Sequence, residues 1–283
     1  MKVEGQVVFL GPGVMAEAIL TGLLEKSMVG PEQVLMSGPT TARLQELADR
    51  YGVATTTDNR AAVQRASVVV LSVKPQTLER AARSVEGAIP PKALLLSIVA
   101  GAPLEKLAML FGSQAIVRSM PNTPAQVGQA ITVWTRTPEV TADQQEMARG
   151  MLAAFGQEIY VEEEDYLDMA TALSGTGPAY VYLFMEALVD AGVHLGFPRR
   201  IAEQLVVQTV KGSVAYYEHS PRHFARLRNQ VTSPGGTSAA ALYYLEKAGF
   251  RTALSRAIWG AYERSLQLGK GKKRGSVTDD ERT

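Results

Sequence analysis

Two rhythms of apolar residues divide the chain. From residue 6 to about 163, short β-branched runs alternate with stretches of helical periodicity, the pattern left by βαβ units. The runs at 6–10 (QVVFL), 34–37 (VLMS), 67–73 (SVVVLSV), 94–98 (LLLSI) and 115–119 (AIVRS) are apolar at successive positions. That predicts parallel strands covered on both faces. Segments 15–24, 42–51, 59–65, 77–85 and 104–110 carry the intervening helical patterns, and a further strand is expected at 131–135, a helix at 142–155 and a short strand at 158–161. The expected fold is α/β, a Rossmann-like doubly wound sheet with ligands at the carboxyl ends of its strands.

Past Glu163 the strand-like runs vanish and a 3.6-residue period takes over. Helices are expected at 165–173, 178–195, 198–217, 221–231, 238–248 and 250–268, with Pro178, Pro198 and Pro221 in first turns, where a missing N–H is tolerated. Several are apolar over more than one stripe, AYVYLFMEALVDAGV at 179–193 being the clearest. About 110 residues offer little interior for such helices, so a second copy of the chain is the expected cover. The end, KGKKRGSVTDDERT, is basic and then acidic without periodicity, which predicts a disordered, solvated tail at 270–283.

Composition narrows the function classes. In 283 residues, 29 Lys and Arg stand against 28 Asp and Glu, so no global field draws nucleic acid or an anionic membrane. There is no cysteine, and His194, His219 and His223 are not spaced as metal ligands; neither thiol chemistry nor a metal is expected. No apolar run approaches the ~18 residues of a membrane span, and the start MKVEGQVVFLG lacks the plan of a signal peptide. A soluble, cytoplasmic protein is expected, with small molecules and its own copies as partners.

The first strand runs into FLGPGVMAEAIL, which places Gly11, Gly13 and Ala16 in the spacing of a dinucleotide-binding turn. Gly11 serves the tight turn, Gly13 the approach of a pyrophosphate, and Ala16 the packing of helix on strand. The second strand ends in LMSGPTTAR, with no carboxylate before Glu46 where an NAD-preferring site holds one. Ser37, Thr40, Thr41 and Arg43 offer hydroxyls and a cation to a 2′-phosphate, so NADPH is the expected cofactor, with NADH as the alternative. Arg43 reads equally as part of an ordinary helix start. LSVKPQ at 71–76 and IVAGAP at 98–103 end the next strands, where a nicotinamide would pass; Lys74 reads as a ligand or as a solvated loop lysine. RSMPNTPAQ makes a rigid exit around Asn122 that suits a cofactor or a plain turn.

In the helical half, VTSPGGTS at 231–238 breaks the pattern. Pro234 fixes φ, Gly235 and Gly236 admit positive φ, and Thr237 or Ser238 is placed to cap the helix that follows. Such a turn presents N–H groups to an anion, or simply joins two helices.

The strings GPGVMAEA, SVKPQ, SMPNTPA, ALSGTGPAYVY with DAGVHLG, and VTSPGGTS, in this order and spacing, resemble the pyrroline-5-carboxylate reductases over residues 5–268. The resemblance implies a dinucleotide-binding domain at 1–163 and an all-helical substrate and dimerisation domain at 164–269. It implies a homodimer, often in a ring of dimers such as a homodecamer, that reduces a cyclic imino acid, Δ1-pyrroline-5-carboxylate, to proline with NADPH or NADH. By the same resemblance Gly11, Pro12, Gly13, Val14 and Met15 hold the pyrophosphate, and Ser37 and Asn59 lie by the adenosine ribose. Val73, Lys74, Pro75, Ala100 and Gly101 flank the nicotinamide half, with Gln230 near the cofactor. Glu164, Ser233, Gly235, Gly236, Thr237 and Ser238 form the substrate pocket. The chain departs from the family in Ser238, commonly Thr, and in Pro12, commonly Ala.

The chemistry suits these residues. Hydride transfer to a C=N carbon needs the ring nitrogen protonated before or as the hydride arrives. The substrate carboxylate finds N–H donors in the SPGGTS turn, and Ser238 is the hydroxyl placed to orient the ring nitrogen or relay its proton. Gly175 and Gly177 of LSGTGPAY allow close approach of substrate or partner, or serve packing. A β-hydroxyacid dehydrogenase would want an acidic lysine early in the second half, but the first lysine after Gly156 is Lys211, in the third helix. A binding-only sensor would not need a carboxylate turn.

Overall fold

The computed structural model describes residues 2–269; the tail expected at 270–283 lies outside them. Eight strands form one sheet: β1 (Gln6–Leu10), β2 (Val34–Ser37), β3 (Ala54–Thr56), β4 (Ala66–Leu71), β5 (Leu94–Ser97), β6 (Ile116–Met120), β7 (Ala130–Arg136) and β8 (Gly156–Tyr160). Their order is β3-β2-β1-β4-β5-β6-β7-β8, so the winding reverses between β1 and β4. All neighbours are parallel except β6 and β7. The doubly wound sheet expected from the sequence is therefore present. Alternate residues of one strand serve two cores: Val7, Phe9, Val68 and Val70 face one side, and Val8, Leu10, Val69 and Leu71 the other. Burial on both faces is what made these strands read as unbroken apolar runs.

Around the sheet lie α1 (Val14–Glu25), α2 (Thr41–Tyr51), α3 (Asn59–Val63), α4 (Leu78–Ser84), α5 (Leu104–Phe111) and α6 (Ala142–Ala153). Then follow α7 (Asp165–Ala170), a π-helical turn at Thr171–Gly175, α8 (Gly177–His194), α9 (Arg199–His219), α10 (Phe224–Gln230), α11 (Thr237–Lys247) and α12 (Phe250–Gly269). The strand missed in the sequence is β3: three residues, ATT, pairing only with β2 at the edge, too short to show a period. Two prolines fall outside the helices expected to hold them. Pro198 is the N-cap of α9, and α10 starts only at Phe224, capped by His223, whose Nδ1 accepts from the Ala225 N–H at 3.2 Å.

The described residues form two compact units, 2–176 with 261–269, and 177–260. In the first, α7 still packs on β6 and β7, and the last turns of α12 meet the loop after β5. There Gly101, at φ +65°, lies so close to α12 that an added Cβ would stand 2.7 Å from Leu268 Cβ. In the second unit, Val189 and Ala202 are the only apolar residues fully buried, while Leu183 is 65%, Leu195 82% and Tyr244 68% exposed. Four helices and part of a fifth with so little interior are short of a core.

Candidate active site

The loop after β1 is stitched to both neighbouring strand ends. The Gly11 N–H donates to the Ser37 carbonyl at 2.9 Å, and the Ser72 hydroxyl donates to the Gly11 carbonyl at 2.8 Å. Gly11 takes φ +106°, and an added Cβ would stand 2.8 Å from the Ser72 carbonyl oxygen, so no side chain fits there. Gly13 is the N-cap of α1 and gives the helix no side-chain cap. The first N–H groups of the helix, on Val14, Met15 and Ala16, consequently lack intrahelical acceptors and point positive charge out of its end. No atom lies closer than 4.0 Å to a Cβ built on Gly13, which leaves the approach open. These are the requirements of a pyrophosphate cradle.

At this point the strand ends enclose a cleft of ≈ 620 Å³, within the usual range for small-molecule sites. It brings together Gly11, Pro12, Gly13, Ser37, Asn59, Val73 and Lys74. Pro75 opens the short turn Pro75–Thr77 directly after Lys74. Ala100 and Gly101 do not line this cleft, and Gly101 is accounted for by its contact with α12. The lining includes Arg43, Lys74 and Arg80 and no carboxylate, which fits a polyanionic dinucleotide. Across its floor the Ser37 hydroxyl donates to Asn59 Oδ1 at 2.6 Å, and Asn59 Nδ2 donates to Ser84 Oγ at 2.9 Å. Thr57, Arg80 and Ser84 were not singled out in the sequence; a helix following the third long strand was the only signal for the latter two.

Pro12, the departure from the family pattern, has a specific neighbour. A Cβ added to Gly38 would stand 2.3 Å from Pro12 Cδ, so the proline ring occupies the room a side chain at 38 would need. Its carbonyl accepts from Arg43 Nε at 3.2 Å.

Glu164, half-buried, edges a polar cluster of the same unit whose other members, Arg118, Asp168 and Ser265, are buried. Its Oε1 accepts from the Leu104 N–H at 2.7 Å and from Arg118 Nη1 at 2.8 Å. The other arm of Arg118 reaches Asp168 at 3.1 Å, and Asp168 accepts from the Ser265 hydroxyl at 2.5 Å. Glu164 thus caps α5, whose own N-cap, Pro103, has no side chain for the task. Apart from Glu164, which the resemblance places in the substrate pocket, the sequence signal for this cluster is the arginine in the otherwise apolar run AIVRS.

In the second unit the turn between α10 and α11 differs in detail from the expectation. Gly235 alone takes positive φ, at +72°, whereas Gly236, at φ −78°, is the N-cap of α11. What Gly236 requires is room: an added Cβ would stand 2.6 Å from Ser233 Oγ. Neither Thr237 nor Ser238 caps the helix; they are its first two residues, and no side chain caps it. Their N–H groups are left without intrahelical acceptors, and the Ser238 hydroxyl has no partner among the described residues. The Gly236 N–H donates to the Ser233 carbonyl at 3.1 Å, closing the turn, and Gln230 ends α10 just before it. Of the two glycines in LSGTGPAY, Gly175 lies against the Met120 methyl, 2.7 Å from an added Cβ, and Gly177 has open space.

Comparison with known proteins gives a concordant result. A family model for pyrroline-5-carboxylate reductase dimerisation matches residues 164–268, and one for NADP oxidoreductase, coenzyme F420-dependent, matches 6–101. The pyrroline-5-carboxylate reductase of a Synechocystis species is 42% identical over 94% of this chain and 98% of its own length. The chain belongs to the pyrroline-5-carboxylate reductase family. Among solved structures, the Plasmodium falciparum pyrroline carboxylate reductase, crystallised with NADP bound, superposes with a TM-score of 0.87 at 31% identity, covering 95% of this chain and 100% of that one. The Coxiella burnetii pyrroline-5-carboxylate reductase follows with 0.85 at 34% identity, covering 94% and 99%. No helix among the described residues is long and apolar enough to cross a membrane.

Proposed function

We propose that this chain reduces Δ1-pyrroline-5-carboxylate to L-proline with NADPH, the last step of proline synthesis, as a cytoplasmic homodimer that further associates into a ring. The reading is carried by its likeness, over nearly the whole of both chains, to the reductase from Synechocystis. The half at 1–163 binds the cofactor and the half at 164–269 binds substrate and partner.

The N–H groups of Val14 and Met15, with the Gly11–Pro12–Gly13 loop, hold the pyrophosphate. Ser37 and Asn59 receive the adenosine ribose, and Val73, Lys74, Pro75, Ala100, Gly101 and Gln230 border the nicotinamide half. When bound, the reduced nicotinamide supplies the hydride to the imine carbon. The turn from Ser233 to Ser238 receives the substrate carboxylate, its free N–H groups contributing about 1.5–3 kcal/mol for each charge-assisted bond. The positive end of α11 adds roughly 0.3–1 kcal/mol, so the anion is held without an arginine. Ser238 Oγ directs its hydrogen bond to the ring nitrogen, which must carry a proton in the product. Glu164 contributes to the substrate pocket and fixes the start of α5.

Purified protein should oxidise NADPH in the presence of Δ1-pyrroline-5-carboxylate and yield proline, followed at the nicotinamide absorbance; turnover of other cyclic imino acids but not this one would defeat the reading. Ser238→Ala should lower kcat about 10- to 100-fold, the effect of one hydrogen bond made mainly in the transition state. The loss should be largest at high pH, where the free imine is unprotonated, and equal pH-independent rates for both proteins would remove Ser238 from the reaction. Light scattering should show at least a dimer at micromolar concentration, since a lone second unit exposes too much apolar surface. A stable, active monomer would contradict this.

A further inference from the structure

We propose that Arg80, on α4, is the residue that selects NADPH over NADH, in place of the Arg43 that the sequence offers. The inference rests on the reading of the cleft as an NADP(H) site. An extra phosphate needs a cation that is not already neutralised. Arg43 is: its Nη2 pairs with Glu17, its Nη1 with Glu46 at 2.7 Å, and its Nε donates to the Pro12 carbonyl at 3.2 Å. Glu17 keeps its charge for this task. Burial pushes its carboxyl up, but hydrogen bonds from Arg43 and Tyr51, with the charges of Arg43 and Arg50, more than reverse that and hold it below the usual carboxylate range.

Of the other groups at the end of β2, the Thr40 hydroxyl lines the cleft without a partner among the described residues but carries no charge, and the rest are committed. The Ser37 hydroxyl proton goes to Asn59, the Gly38 N–H to the Thr56 carbonyl at 3.2 Å, and Pro39 has no N–H. Two cations of the cleft remain free. Lys74 and Arg80 line it, and neither side chain has a hydrogen-bond or ion-pair partner among the described residues. Lys74 belongs to the nicotinamide half in this reading, a part common to both cofactors, so it does not tell them apart. Arg80 is four residues before Ser84 and shares its face of α4. Ser84 ends the line of hydrogen bonds that starts at Ser37, so Arg80 stands at the far end of the floor on which the ribose is read.

The test compares wild type, Arg80→Gln, Arg80→Lys and Arg43→Gln by calorimetric titration with 2′,5′-ADP and 5′-AMP, which differ only in the 2′-phosphate. Arg80→Gln should weaken 2′,5′-ADP at least tenfold and leave 5′-AMP within twofold, and Arg80→Lys should recover most of the difference. The ratio of kcat/KM for NADPH over NADH should fall in parallel. Equal weakening of both ligands would mean that Arg80 stacks on the base, and loss of discrimination in Arg43→Gln alone would return the role to Arg43; either overturns the proposal. Wild type that binds neither ligand overturns the reading of the cleft itself, a result separable from the first two because it needs no variant.

Discussion

Arg118→Leu should destabilise the protein by about 3–5 kcal/mol, the range measured when one member of a buried ionic network is removed. The Arg118 side chain is 4% exposed and faces two carboxylates, Glu164 and Asp168. Without it, Asp168 keeps only the Ser265 hydroxyl, and Glu164 keeps only the Leu104 N–H among the bonds formed here. Glu164, with 30% of its side chain exposed, can turn partly to water, but Asp168, at 11%, is left as a buried charge with one partner. Urea unfolding of the variant measures the loss. Adding Glu164→Gln and Asp168→Asn to Arg118→Leu should recover a substantial part of it, because the carboxylates then no longer carry buried charge. A loss below about 1 kcal/mol would place the cluster with surface ion pairs.

Gly11→Ala should weaken NADPH binding about 10- to 100-fold while leaving the sheet folded. The added methyl would meet the Ser72 carbonyl oxygen at 2.8 Å, and φ +106° is itself strained for any residue with a Cβ. Relief of about 1–3 kcal/mol of backbone strain requires the loop to move away from β4. That displaces the pyrophosphate cradle at the start of α1, which a fluorescence titration with NADPH reads directly. Binding within twofold of wild type would show that the cradle does not depend on this turn.

The fold was legible where many residues repeat one signal. β1, β4 and β5 each carry three or more apolar residues in a row because both faces are buried, and α1 follows a loop in which Gly11 takes φ +106°. β3 was not legible, since three residues at a sheet edge carry no period. The cleft was legible to the extent that it is made of backbone: Gly11 and Gly13 announce their conformations in their identity. Its charge was not. Arg43 looked available because its neighbours in sequence are hydroxyls, and only tertiary structure brings Glu17, 26 residues earlier, against it. The turn before α11 shows the same limit on a smaller scale. A pair of glycines suggests two unusual φ values, but Gly235 needs one and Gly236 needs space beside Ser233.

The contact between Pro12 and Gly38 ties two positions into one unit of inheritance. With a pyrrolidine ring at 12, any residue but glycine at 38 collides with it, so the first change a lineage can accept is at 12. Exchange of Pro12 for alanine restores a main-chain donor to the loop and, in the same step, releases 38 to accept a side chain at the mouth of the cleft. The order of these two substitutions is fixed by volume, and a designer altering cofactor choice near β2 must begin in the loop after β1.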